Sequence, residues 1–207
     1  MRPLLVSGPD STLRNVYTLA KQAFPGRRVE MLFIPSADYY RFDLTGLKDF
    51  DPQEWDICVA VNEFYINDVR RALHDAVAIL GYQCASVISP RADVDPSAVI
   101  GANAVIYGGC VVGANVLIGH HCVLRGNVVL SEDVVLGDYV SLEANVAIRE
   151  GATVGSFTTI CANSSVARIS RIGQYCYLNH QRQYSGTIVD MTFYSPNFQH
   201  PIQVFSS

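Results

Sequence analysis

Lysine is scarce: Lys21 and Lys48 are the only two in 207 residues. Lys and Arg together number 15 against 19 Asp and Glu, a formal net charge of −4. A chain this poor in cations has little to neutralise a phosphate backbone or an anionic bilayer, so neither nucleic acid nor membrane is expected as a partner. Charge of either sign is thin, at 16% of residues, while 49% are apolar. Disordered chains show the opposite balance. Long apolar runs are missing as well, and nothing approaches the ~18 residues of a membrane span. The opening Met1-Arg2-Pro3-Leu4 lacks the apolar core of a secretory leader, so a cytoplasmic location is expected. The six cysteines (58, 84, 110, 122, 161, 176) contain no C-x-x-C pair. No metal site is expected from them, and reduced thiols packing as small apolar side chains are.

What the chain does have is a period. From Ile88 every sixth residue is aliphatic, sixteen in succession, ending at Leu178. Four residues after each comes a second series, from Ala92 to Cys176, in which every member is small or β-branched. An inward aliphatic on each short strand, with a small residue near each corner, builds a triangular coil of three hexads. Successive coils then stack at the strand-pairing distance of roughly 4.8 Å. This spacing predicts a parallel β-helix of about five coils over 88–178. Gly and Asn at the corners supply positive φ. Asn127, Asn145 and Asn163, eighteen apart, are expected to stack as a ladder. The charge deficit belongs to this half: residues 88–180 hold 12 charged side chains, whereas residues 1–87 hold 20.

Residues 1–87 carry no such period and read as a small α/β unit. Leu4-Leu5-Val6, Val29 to Ile34 and Ile57 to Val61 are expected strands. A helix capped by Ser11 or Thr12 runs to about Phe24, and a second runs from Phe64 to Leu80, ended by Gly81. Strands alternating with helices predict a parallel sheet. Ser7-Gly8-Pro9-Asp10-Ser11 follows the first strand, but it has one glycine, a proline and a carboxylate. It reads as a plain strand–helix turn rather than a dinucleotide fingerprint. His74, in a run with Arg70, Arg71 and Asp75, reads as solvated helix surface. Residues 179–207 abandon the period and are expected either to cover the last coil or to shape an acceptor pocket.

This layout resembles the bacterial sugar acyltransferases typified by sialic acid O-acetyltransferase and bacillosamine N-acetyltransferase. The resemblance is carried by Val59-Ala60-Val61 before the second helix, by Gly81 through Ala92 at the junction, and by Gly137-Asp138-Tyr139 through Ile148-Arg149-Glu150-Gly151. It implies a Rossmann-like N-terminal domain and a left-handed β-helix. It also implies acetyl-CoA as acyl donor, an amino or hydroxyl group of a sugar or nucleotide sugar as acceptor, and a homotrimer with sites between neighbouring β-helices. The family's general base is a histidine at a hexapeptide corner. In the family's register that corner falls on Val112-Gly113-Ala114-Asn115, with Ala114 in the histidine position.

The histidines come one hexad later, at His120 and His121. In one reading His120 is the base. Asp138, one coil on, would orient its ring and stabilise the imidazolium. His121 is a further candidate catalytic residue, although it stacks on Asn103 and Tyr139 instead, at a corner position in the left-handed region where histidine is tolerated. In the other, the site is silent and the chain is a ligand-binding, regulatory or structural subunit. Arg149 and Arg168, one coil apart near one corner, are the candidate contacts for the CoA phosphates.

Overall fold

A computed structural model of the chain describes residues 1–63 and 67–204. The N-terminal unit is a parallel four-stranded sheet. Its strands are β1 (Leu4–Gly8), β2 (Val29–Phe33), β3 (Asp56–Val59) and β4 (Gln83–Cys84), in the order β2-β1-β3-β4. Leu5, Ile57 and Val59 lie on one side of the sheet, with α2 (Asp68–Ile79), whose Val69, Leu73 and Val77 complete that core. Leu4, Val6 and Cys58 face α1 (Thr12–Ala23) on the other. The start of α1 departs from expectation. Ser11 makes no side-chain cap, and the Asp10 carboxylate accepts the Thr12 amide instead, at 2.7 Å. The expected start of the second helix at Phe64 lies outside the described residues. Its other end behaves as expected, with Gly81 at φ +89°.

From Val87 the chain winds into a parallel β-helix with three faces. Each strand pairs with the one a full coil on, as Leu124 with Leu142 and Leu130 with Ile148. The inward series from Ile106 to Ile172 is buried, and Cys110, Cys122 and Cys176 are fully enclosed beside it. Ile88, Val94 and Ile100 are only half-buried, because no coil lies beneath the first. The asparagine ladder forms: Asn127 Nδ2 donates to Asn145 Oδ1 at 3.2 Å, and Asn145 Nδ2 to Asn163 Oδ1 at 2.9 Å.

The β-helix runs one coil beyond the regular repeat. Gln183–Tyr184, Thr187–Ile188 and Thr192–Tyr194 add a further strand to each face. The sequence period hides this coil for a simple reason. Tyr184 lies eighteen residues beyond its partner Val166, whereas Ile188 lies sixteen beyond Ile172. One corner has lost two residues, so the spacing slips while Tyr184 and Ile188 stay buried. Ile202–Gln203 then folds back antiparallel on Thr192–Phe193 and covers the edge of that face alone.

The three faces differ in what covers them. The first face, which holds Val87, Val105 and Val123, packs against α1 and β1 of the N-terminal unit. Its outward residues from Val87 to Thr159 are therefore buried. On the second face Val99 is 60% exposed and Leu117 45%. On the third, Val111 and Val129 are 41% and 39% exposed. Both uncovered faces thus carry an aliphatic stripe.

Candidate active site

The corner beside α2 is built from one residue per coil. Asn103, His121, Tyr139, Phe157 and Tyr175 all have positive φ, between 53° and 61°. Their rings stack at the coil spacing: His121 on Tyr139 at 4.5 Å, Tyr139 on Phe157 at 4.8 Å, Phe157 on Tyr175 at 4.7 Å. Asn103 begins the series differently. Its Oδ1 accepts the Val59 amide at 2.7 Å and its Nδ2 donates to the Val59 carbonyl at 3.1 Å. The side-chain amide thus extends the N-terminal sheet by one hydrogen-bonded pair and ties it to the corner.

α2 closes over this corner, which corrects the reading of His74 and Arg70 as solvated, whereas Arg71 and Asp75 are exposed as expected. His74 lies on His121 with ring centres 3.9 Å apart. Its Nδ1 is 3.1 Å from the Tyr139 hydroxyl and 3.4 Å from Asp75 Oδ1. Arg70 is 1% exposed. Its guanidinium donates to the His121 carbonyl at 2.7 Å, to Ser141 Oγ at 2.8 Å, to Asn67 Oδ1 at 2.9 Å and to the Val61 carbonyl at 3.3 Å. Burial lowers its pKa to about 10. Sequence reasoning missed both residues because a helix surface and a helix contact read alike until the partner, some 50 residues away, is known.

His120 is exposed at the same corner. Its backbone amide, not its ring, meets Asp138: N–H to Oδ1 is 2.7 Å. The ring Nδ1 accepts the Ala102 amide at 3.0 Å. The expected carboxylate–imidazole pair is therefore replaced by two amide caps, each joining adjacent coils. The physical reason is the corner itself, which leaves amides unpaired and gives each short side chain one within reach. With Nδ1 as acceptor, the neutral ring carries its hydrogen on Nε2.

His121 is 5% exposed, and its Nδ1 has no hydrogen-bond partner among the described residues. Burial first, then the neighbouring His74, Arg70 and His120, push its pKa down to about 3. As a candidate catalytic residue it offers an enclosed ring, packed between His74 and Tyr139. Its expected stacking on Tyr139 is present. An unfolded His121 takes up a proton near pH 6.5, whereas the folded one waits until about pH 3. The unfolded state thus binds more protons across that window, and stability falls as pH drops through it. His121→Phe should flatten the decline in melting temperature between about pH 6.5 and pH 4. Phe157 already occupies the equivalent position at φ +60°, so the backbone accepts the substitution.

At the corner they share, neither Ala114 nor Asn115 can act as a base. Asn115, at φ +57°, donates from Nδ2 to Asp133 Oδ1 at 3.1 Å, and its amide to Ser97 Oγ at 2.9 Å. Further along the same corner, Arg149 and Arg168 are both exposed. Glu150 stands between them, with Arg149 Nε 3.6 Å from its Oε2. Its own backbone hydrogen bond, helped by the two arginines, holds its carboxyl below the usual range. That carboxylate offsets part of the charge available to a phosphate. Among the described residues no group of three metal-ligating side chains occurs, and no helix is long and apolar enough to cross a membrane.

A crevice of about 330 Å³ opens at the carboxyl ends of β1 and β3, lined by Pro9, Asp10, Ser36, Asp38, Asn62 and Val69. This is where the strand order reverses, the usual ligand position in an open α/β sheet. Asp10 shapes it by accepting the amides of Thr12 and Asn62. A side chain at Gly8 would collide with the Ala60 carbonyl, so only glycine lets β1 pass that close.

Residues 91–126 match the family described as bacterial transferase hexapeptide (six repeats). No curated protein matches the sequence. Among solved structures, the chain is similar to the acetyltransferase domain of PglB from Neisseria gonorrhoeae, at 22% identity over 98% of this chain and 100% of that one, with TM-score 0.83. The same domain in complex with acetyl coenzyme A gives TM-score 0.84 at 22% identity, over 97% and 99% of the two chains. A variant of GDP-perosamine N-acetyltransferase from Caulobacter crescentus, in complex with CoA and GDP-perosamine, gives TM-score 0.56 at 19% identity, over 94% of each chain. At these identities the likeness is one of fold.

Proposed function

We propose that this hexapeptide-repeat protein is an acyl-CoA-dependent acyltransferase that moves an acetyl group to an amino or hydroxyl group of a sugar or nucleotide sugar. The observation that carries the reading is the end-to-end match, N-terminal unit included, to a domain that binds acetyl coenzyme A. The GDP-perosamine complex of a second relative supports a nucleotide sugar as acceptor. Acyl-CoA as donor goes with a cytoplasmic location.

His120 is the reading's base. As the acceptor attacks the thioester, Nε2 takes its proton, which requires the ring hydrogen to sit on Nδ1. The Ala102 amide opposes that tautomer, so this contact opens in the working complex. Catalytic hydrogen bonds commonly rearrange between free and loaded enzyme. Arg149 and Arg168 are the candidate phosphate contacts, with Glu150 limiting their strength. The test is thiol release from acetyl-CoA with a panel of amino-sugar nucleotides, alongside the melting temperature with CoA. The absence of both turnover and a CoA-induced rise would end the proposal.

The Ala102 contact on Nδ1 also favours a second reading, a silent relative that binds ligand or partner without turnover. A rise in melting temperature with CoA, without thiol release, would select it.

The homotrimer belongs to the same proposal. Two of three β-helix faces present aliphatic stripes, led by Val99, Leu117, Val111 and Val129, and contiguous apolar surface of this kind commonly marks association. Light scattering after gel filtration should give three chains per particle, and a monomer mass would refute it.

A further inference from the structure

Arg70 is a buried cation whose partners are all uncharged. Its hydrogen bonds go to two backbone carbonyls, an amide oxygen and a hydroxyl, and no carboxylate pairs with it among the described residues. Burying a guanidinium this way is costly. If filling space were the only need, an apolar side chain would do it at lower cost. What an apolar chain lacks is the fork. A planar guanidinium holds several acceptors in fixed directions at once.

Those acceptors belong to four separate segments. Val61 lines the N-terminal crevice, Asn67 precedes α2, and Ser141 lies on the covered β-helix face. The fourth is the carbonyl of His121, the residue that follows His120. His121 has φ +61°, a backbone region that disfavours most side chains. A fixed carbonyl holds the His121–Cys122 peptide plane and, through the backbone dihedrals of His121, the direction in which His120 leaves the corner. We propose that Arg70 is a positioning residue: it pins the His120–His121 corner to the crevice floor and so sets the His120 ring. The proposal rests on the acyltransferase reading for its catalytic consequence, but not for its structural one. Arg70 also adds to the positive field that keeps His121 neutral.

The test uses the full-length protein and two variants. Arg70→Lys keeps the charge but offers one nitrogen in place of the fork. Arg70→Gln removes the charge. The chain has five histidines, so the imidazole C–H region of its proton NMR spectrum is simple to assign. At fixed neutral pH both variants should shift the His120 and His121 resonances while leaving His180 and His200 in place. With an acceptor identified, kcat should fall by about 10- to 100-fold, the scale of a misplaced catalytic group, with KM nearly unchanged. A merely structural arginine predicts something else: a lower melting temperature, with the His120 resonances and kcat unmoved at 25 °C. That outcome overturns the proposal, as would failure of both variants to fold, which would make Arg70 a requirement of the fold itself. If the wild-type protein turns over no acyl-CoA, the acyltransferase reading falls, and the NMR comparison still decides whether Arg70 holds the corner.

Discussion

His120→Ala is expected to lower acyl-transfer turnover by about 10²–10⁴-fold, the usual contribution of a general base. The side chain is exposed and supports no core packing, so the melting temperature should hardly move. Its backbone amide keeps the Asp138 cap in the variant, and the one bond lost is the Nδ1 contact with Ala102. The comparison is therefore clean: activity falls and the fold stays. Asp138→Asn sharpens it. Asp138 meets the His120 backbone rather than the ring, so an amide oxygen can replace the carboxylate with little loss of rate. A large loss in Asp138→Asn would restore the carboxylate–imidazole pair. An unchanged rate in His120→Ala would remove this residue from the chemistry.

Leu130→Ala is the second large effect, and it acts on stability. Leu130 is fully buried in the third face, between Val112 of the coil below and Ile148 of the coil above. Removing a buried leucine side chain costs about 2–5 kcal/mol, according to how far the site collapses. Here collapse is limited. The neighbours are held at the strand-pairing distance by backbone hydrogen bonds such as Ser131 N–H to Ile148 O at 2.9 Å. A cost in the upper part of that range is expected, and denaturant unfolding measures it. Because each coil touches only its neighbours, the loss should also broaden the transition, as the stack separates into two weaker segments. Leu117→Ala is the control. Leu117 stands outward at 45% exposure, so the isolated chain should lose little. A broad loss of stability from Leu117→Ala at high dilution would contradict the assignment of faces.

The β-helix was legible in the sequence because its physics is local. An inward residue recurs at fixed spacing whatever else the chain does, so Ile106, Leu124 and Leu142 identify themselves without reference to any distant partner. The asparagine ladder follows from the same eighteen-residue step. The candidate site was legible only in part. His120 and His121 stand out as histidines on a half-molecule with few ionisable groups. Their hydrogen-bond partners do not, because each bond is made by geometry across coils or across units. Asp138 was expected at the ring and lies at the amide. Arg70, His74 and Asn67 carry the contact to the β-helix, yet their partners are 47 to 92 residues away in sequence. A helix with a mixed face gives no sign of which polar residues will be covered.

The last coil fixes the direction in which such a chain can lengthen. Every coil up to Leu178 repeats at eighteen residues and can be duplicated or deleted as a unit, because the copy above inherits the same register. The coil ending at Tyr194 is two residues short at one corner, between Tyr184 and Ile188. On the face of Thr192–Tyr194 a further coil would meet Ile202–Gln203, which folds back antiparallel on Thr192–Phe193. That returning strand, with the shortened turn before it, works as a terminator. New coils can be inserted beneath it but not beyond it, so natural or engineered length variants should differ by whole multiples of eighteen upstream of residue 179.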